Sequence, residues 1–367
     1  MTNLQQPAEA NSTRQGSVTV TGVNHPPYRG RLLSLHRELV ELESVTGREN
    51  AVGEFLIGYL AKHGFRTSRQ TLPPHSNTPP GWDRSNILAW PNASRHTSQP
   101  SSSSLTPRLL VSAHIDTVPP FIPYSIDEGE IGLDTVIRGR GSVDTKASAA
   151  AQIIAVEELI TARRVRPEDV MLLYVVGEEQ GGDGMRHFSR VLNEPDYGHD
   201  SHLAGPLPAK GFKAAILGEP TDNKLAKGHK GLLICDIKAK GKAGHSGYPW
   251  LGKSANELLM RAIIKALDEN LGSSERFGET TLNIGVFEGG VAGNVIAEEA
   301  SASLVLRIAT GPEETGHEKV KARILEILKN IDGEAFSVDW HGGYGAVPCD
   351  YDVEGKPCKE TTLRQSV

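Results

Sequence analysis

His114-Ile115-Asp116 follows directly on an apolar run, Leu109 to Ala113. The run predicts a buried strand. A strand that ends in His-x-Asp carries an imidazole and a carboxylate to the edge of a sheet, where open α/β folds place their sites. Alternation along the strand puts both side chains on one side. An imidazole can bind a metal through one nitrogen while a carboxylate holds its other N–H. His-x-Asp also arises by chance, but three acidic segments accompany it. Val170 to Val176 is a second apolar run and ends in Gly177-Glu178-Glu179. Ala214 to Leu217 is a third and ends in Gly218-Glu219-Pro220-Thr221. Between them Gly139-Arg140-Gly141-Ser142-Val143-Asp144 leads into an Ala-rich helix from about Lys146. Acids at such ends are costly to bury unless paired or metal-bound. Together they read as a carboxylate-rich metal site without a Cys donor. Such a site suits zinc in a catalytic role, or cobalt or manganese.

The order His-x-Asp, Gly-Arg-Gly-x-x-Asp, Glu-Glu, Glu-Pro-Thr and then Gly244-His245-Ser246-Gly247 resembles the metallopeptidase family of carboxypeptidase G, aminoacylase and succinyl-diaminopimelate desuccinylase. The likeness runs from about Leu32 to Val353, and within the family it is greatest to fungal carboxypeptidases described as secreted. The resemblance implies two zinc ions bridged by Asp144, with His114 and Glu219 completing the first and Glu179 belonging to the second. It implies Glu178 as general base toward metal-activated water, and Asp116 as the partner that orients His114. The residues alone allow Glu178 and Glu179 to exchange roles, because neighbours on a strand end point in opposite directions. By the same resemblance His245 stabilises the oxyanion, often in the partner subunit's site, and Asn294 and Arg307 bind the substrate carboxylate. The implied reaction is hydrolysis of an amide next to a free carboxylate, in a peptide or an N-acyl amino acid. The peptide bond after Asp144 is implied to be cis.

The elements that must position these residues follow from pattern. Leu32, Leu33, Leu35, Leu39 and Leu42 predict a helix from near Arg31, broken by Ser44-Val45-Thr46-Gly47. Val52, Phe55, Leu56 and Leu60 predict a second, stopped by Gly64. Leu72 to Pro107 reads as a polar surface insertion around a strand at Asn86 to Trp90. Strands at Leu109–Ala113, Val170–Val176 and Ala214–Leu217 alternate with helices at Thr145–Ala162 and Gly184–Leu192. The fold class expected is therefore α/β, a mainly parallel sheet flanked by helices. After Thr221 the pattern becomes strand (Gly231–Lys240), helix (Lys253–Leu267), two strands (Thr281–Gly285 and Ala302–Ile308) and helix (Glu318–Ile331). That order predicts an inserted α+β domain, which in the family is a lid or dimerisation domain. The expected division is a disordered tail over 1–28, a catalytic domain over 29–223, the lid over 224–332 and a truncated return to the catalytic domain over 333–367. Gly333 to Val367 offers no apolar strand and no long amphipathic helix, whereas the family's return segment carries a strand, the last metal-binding His and a closing helix. A truncated, inactive homologue that binds metal or partners is thus the alternative to an active hydrolase.

Length and charge bound the rest. A chain of 367 residues is enough for two domains, and a net charge of −6 gives nucleic acid no footprint. No apolar stretch approaches the ~18 residues of a membrane span. Met1 to Gly16 is polar and does not read as a signal peptide, which sets a cytoplasmic reading against the secreted relatives. Asn11 and Asn92 stand in N-glycosylation triplets. Cys235, Cys349 and Cys358 form no disulfide framework, and Cys235 reads as core packing. His229, His317 and His341 read as surface residues. A homodimer through the lid domain is the protein partner that the resemblance implies.

Overall fold

The computed structural model describes residues 26–92, 106–194, 203–224, 226 and 228–348. The expectations for Asn11, residues 93–105 of the surface insertion, Cys349, Cys358 and most of the 1–28 tail lie outside the described residues. The chain divides into two compact units between Pro220 and Thr221.

In the first unit, helix α1 (Arg29–Glu41) buries Leu35, Leu39 and Val40, and α2 (Asn50–Lys62) buries Val52, Leu56 and Leu60. Tyr28 already packs against the same core, so the packed chain starts before the expected boundary. The sheet contains β1 (Phe65–Leu72), β2 (Arg84–Pro91), β3 (Leu109–His114), β4 (Val170–Val175) and β5 (Ala214–Leu217), in the order β1-β2-β4-β3-β5. Strand β3 runs parallel to both β4 and β5, while β2 is antiparallel to β1 and to β4. Helices α3 (Lys146–Thr161) and α4 (Asp183–Asn193) complete the unit. Val170, Leu172 and Tyr174 of β4 join α1, α2 and α3 in one core, whereas Met171, Leu173 and Val175 join Phe188 of α4 in another. A strand buried on both faces is continuously apolar, which is why β4 is legible as a run rather than an alternation. Strand β1 is missing from the sequence reading. Only its ends are apolar, and its pairing with β2 makes it a strand.

In the second unit β6 (Gly231–Lys240), β7 (Thr281–Gly289), β8 (Glu299–Ile308) and β9 (Phe336–Tyr344) form an antiparallel sheet in the order β7-β8-β6-β9. Helices α5 (Ala255–Leu267) and α6 (Gly316–Asp332) share one core with its inward residues, Cys235 among them. Ser254 caps α5, its hydroxyl accepting the Glu257 N–H at 3.3 Å. Two expectations are corrected here. The segment from Gly333 does contain a strand, and β9 extends this sheet by pairing with β6 instead of returning to the first unit. Phe336, Val338 and Trp340 alternate with Ser337, Asp339 and His341, a half-polar pattern of period two that composition hides. His317 is buried, not on the surface: it packs so closely on Gly343 that a Cβ there would lie 2.5 Å from its Cδ2. His229 and His341 are exposed. No described helix is long and apolar enough to cross a membrane.

Candidate metal centre

The carboxyl ends of the parallel strands β3, β4 and β5 open along one edge of the first sheet. His114 is the last residue of β3, buried and paired with Val175 of β4. Its Nδ1 lies 3.0 Å from the backbone oxygen of Asp116 and 3.5 Å from Oδ1 of the same residue. A carbonyl only accepts, so Nδ1 carries the proton, and a neutral ring turns its Nε2 lone pair outward. That Nε2 is 3.0 Å from Asp144 Oδ1 and 3.9 Å from Glu178 Oε2.

Asp144 ends a loop that is held from several directions. Gly141 sits at φ +84°, where a Cβ would come 2.8 Å from the Thr117 side chain, so the approach requires glycine. His36 Nε2 donates to the Ser142 carbonyl at 2.9 Å. Lys146, buried in the first turn of α3, donates from Nζ to the Leu42 carbonyl at 2.8 Å. Burial lowers its ammonium to about 7, against the pull of Asp116. The Asp144–Thr145 peptide is cis, and the Thr145 hydroxyl donates to the Gly218 carbonyl, tying this loop to the end of β5.

Glu178 and Glu179 stand in the turn beyond β4, and the backbone of both faces Asp116. Asp116 Oδ1 accepts the Glu178 N–H at 3.0 Å, while Oδ2 accepts the Glu179 N–H at 3.2 Å and the Thr46 hydroxyl at 2.7 Å. This carboxylate therefore links the imidazole to the turn that bears both glutamates. Sequence reasoning assigns it only the imidazole and misses Thr46, His36 and Lys146 altogether. No motif marks those three, because their roles come from chain segments that meet only in the fold.

One ligand atom from each of His114, Asp144 and Glu179 lies within 4.8 Å of the others, a spacing that could hold one metal ion. Glu219 follows β5 and stands outside that group of three. Its carboxyl is pushed up to about 7, by burial first and then by Glu178, Asp144 and Glu179, with His114 opposing. The carboxyls of Glu178 and Glu179 are also raised, by burial first; His114 opposes the shift in both, and Asp144 adds to it. Burial lowers the His114 imidazole, but Asp116, Glu219 and Glu178 outweigh it and bring the value to about 10. Several acids thus crowd a single cationic imidazole, more negative charge than it alone can balance. Oxygen and imidazole donors of this kind fit a divalent cation.

The residues expected to meet the substrate belong to the second unit. Gly244-His245 forms a short ladder with Val295-Ile296, and the Ser246 N–H donates to the Asn294 carbonyl at 3.0 Å. Asn294 therefore lies beside His245. The ring nitrogen Nδ1 of His245 accepts the Gly247 N–H at 3.0 Å, so the neutral ring carries its proton on Nε2 and can donate it. Arg307 is exposed on β8, opposite the face that Leu304, Leu306 and Ile308 bury. Asn92 is half-buried after β2, its backbone N–H bonded to the Gly64 carbonyl at 2.9 Å.

Known proteins resemble this chain in sequence and in fold. Residues 227–335 match the model described as a peptidase dimerisation domain, and residues 96–202 match that of peptidase family M28. A Sordaria macrospora protein named as containing a peptidase M20 domain is 50% identical over 344 residues, which are 90% of this chain and 73% of that protein. A probable carboxypeptidase of Aspergillus fumigatus is 40% identical over 88% of this chain and 72% of its own length. Among solved structures, a tripeptidase from Staphylococcus aureus superposes with a TM-score of 0.61 at 22% identity, over 87% of this chain and 77% of that one. An M20 family metallo-carboxypeptidase from Sulfolobus solfataricus gives a TM-score of 0.56 at 16% identity, over 86% and 79%. At these identities the structural likeness speaks for the fold.

Proposed function

The chain belongs to the M20 peptidase family, and from that premise we propose that it is a zinc-dependent hydrolase of an amide or peptide bond next to a free carboxylate. The observation that carries the reading is the buried His114 facing Asp144, with Glu179 and Glu178 beside them at the carboxyl edge of parallel strands. His114, Asp144 and Glu179 would hold metal, Glu219 would supply a further donor, and Asp144 would be shared between two ions. When bound, the metal would supply a Lewis acid that polarises the amide carbonyl and makes a water more acidic. Glu178 accepts the proton of the attacking water and returns it to the leaving nitrogen. A raised carboxyl suits both halves of that task, because its affinity for a proton is closer to that of the groups it serves. Asp116 fixes the tautomer of His114. His245 Nε2–H, Asn294 and Arg307 are the groups proposed to receive the carbonyl oxygen and the substrate carboxylate. The match to a peptidase dimerisation domain supports a homodimer, and light scattering on the purified protein should give twice the monomer mass. A monomer at every concentration would remove the dimer.

Two comparisons test the reaction. Stripping the protein with a chelator should abolish cleavage of N-acyl amino acids, and added zinc should restore it. The same substrate with its carboxylate amidated should be cleaved at least ~10²-fold more slowly, since the groups proposed to receive the carboxylate would lose its charge-assisted bonds. Undiminished cleavage after complete removal of metal, or of the amidated substrate, would contradict the reading.

A further inference from the structure

Arg84 opens β2 and is 1% exposed, so its five N–H donors must all be met by protein. Nε and Nη2 donate to the two oxygens of Glu49, each at 3.0 Å. Nη1 donates to Asp183 Oδ2 at 2.7 Å and Nη2 to Oδ1 at 3.4 Å, and Nη1 also reaches the Pro73 carbonyl at 3.4 Å. Glu49 is buried at the N-cap of α2, whereas Asp183 is 40% exposed in the first turn of α4. The segment from Gly177 to Asp183 is the turn that bears Glu178 and Glu179, and the guanidinium lies directly beneath it. A Cβ on Gly177, at φ +72°, would meet Asp183 Oδ1 at 1.7 Å and Arg84 Nη2 at 2.7 Å. The turn closes on itself through Gly182 N–H to the Gly177 carbonyl at 2.8 Å. Asn86, two residues along β2 from Arg84 and so on the same face, grips the same place. Its Oδ1 accepts the Val176 N–H at 3.2 Å and its Nδ2 donates to the Gly184 carbonyl at 2.8 Å.

We propose that Arg84, acting through Asp183, is a positioning residue that holds the Glu178–Glu179 turn against the candidate metal centre. The inference rests on the roles given above to those two glutamates. Its physical ground is repulsion. Asp116, Asp144, Glu178, Glu179 and Glu219 crowd one centre, and two of them sit side by side on one turn. Asp116 ties that turn at the front through two N–H groups, and Arg84 with Asp183 ties it at the back through charge-assisted bonds. The glutamates are thus held in place before metal or substrate arrives.

Arg84→Met would strand Glu49 as an unpaired buried carboxylate and is expected to fail to fold. Asp183→Asn is the informative variant, because it keeps the Glu49 pair and the side-chain shape while removing one charge. It should lower kcat by about 10-fold with KM unchanged, since small displacements of a reacting group carry penalties of that order. In the metal-free protein, amide hydrogen exchange over residues 177–183 should rise by about 10-fold, with exchange in β4 and α1 unchanged. Titration with Co²⁺ should show one weakened site. Asp183→Glu, which restores the charge, should recover part of each loss. Unchanged local exchange, or faster exchange with unchanged kcat, would overturn the proposal. A wild-type protein inactive on every substrate would instead count against the hydrolase reading alone. Hydrogen exchange and Co²⁺ binding would then still decide for or against Arg84.

Discussion

Glu178→Gln is expected to lower turnover of an N-acyl amino acid by at least ~10²-fold while metal content stays at the wild-type value. The substitution keeps the side chain's shape and one oxygen but removes the ability to take a proton. Glu178 lies 3.9 Å from His114 Nε2 and outside the trio His114, Asp144 and Glu179, so the proposed metal donors remain. Its N–H bond to Asp116 comes from the backbone and survives any side chain. Metal analysis beside steady-state kinetics separates the outcomes. Loss of activity with loss of metal would make Glu178 a ligand and transfer the base to Glu179. Full activity would remove Glu178 from the chemistry.

Asp116→Ala should weaken zinc binding by roughly 10–100-fold, the usual effect of removing the partner of a metal-binding histidine. It should also destabilise the metal-free fold. Asp116 is fully buried, and its loss strands the Thr46 hydroxyl and the N–H groups of Glu178 and Glu179. Each orphaned buried group costs about 1–3 kcal/mol. Burial would raise this carboxyl, but His114, Thr46 and the Glu178 N–H together lower it. A group whose folded value is lowered contributes stability above the ordinary carboxylate range and loses it as pH falls through the folded value. The gap between wild type and variant should therefore be full at neutral pH and close in acid. Competitive titration with a chromogenic chelator and urea unfolding at several pH values measure both parts. Wild-type zinc affinity in Asp116→Ala would refute the linking role, and a gap that widened in acid would refute the charge state.

What could be read from the chain differs from what could not in a physical way. His114, Gly177-Glu178-Glu179 and Gly218-Glu219 follow short apolar runs, and a polar residue after a buried run marks a strand end with little ambiguity. The central strands were legible for that reason, and so was the fold class. The parts that hold the site were not. Arg84 stands 99 residues from Asp183, and Thr46 stands 70 residues from Asp116. A buried salt bridge or hydroxyl contact made across such distances leaves no period and no spacing in the chain. Strand β9 escaped for a third reason. One of its faces is polar, and its partner β6 lies about a hundred residues earlier. The roles given to His114, Asp144, Glu178 and Glu179 are what the two variants above measure.

The proposed donors do not stand on equally firm ground. Strand β3, which ends in His114, is flanked by β4 and β5, and the Glu178–Glu179 turn is gripped from front and back. Glu219 follows β5, an edge strand among the described residues, joined to the sheet through four residue pairs on one side, with Ile216 and Leu217 still 52% and 61% exposed. Local opening of a sheet starts where pairing is one-sided. Fraying of β5 would reach Glu219 first, and Asp144 only through the Thr145–Gly218 bond, while His114 and Glu179 are held by other segments. The centre is stiff on three sides and compliant on the fourth. If Glu219 serves as proposed, a cation that demands a tighter or wider shell would be accommodated there, and choice among divalent ions would depend on how far an edge strand bends.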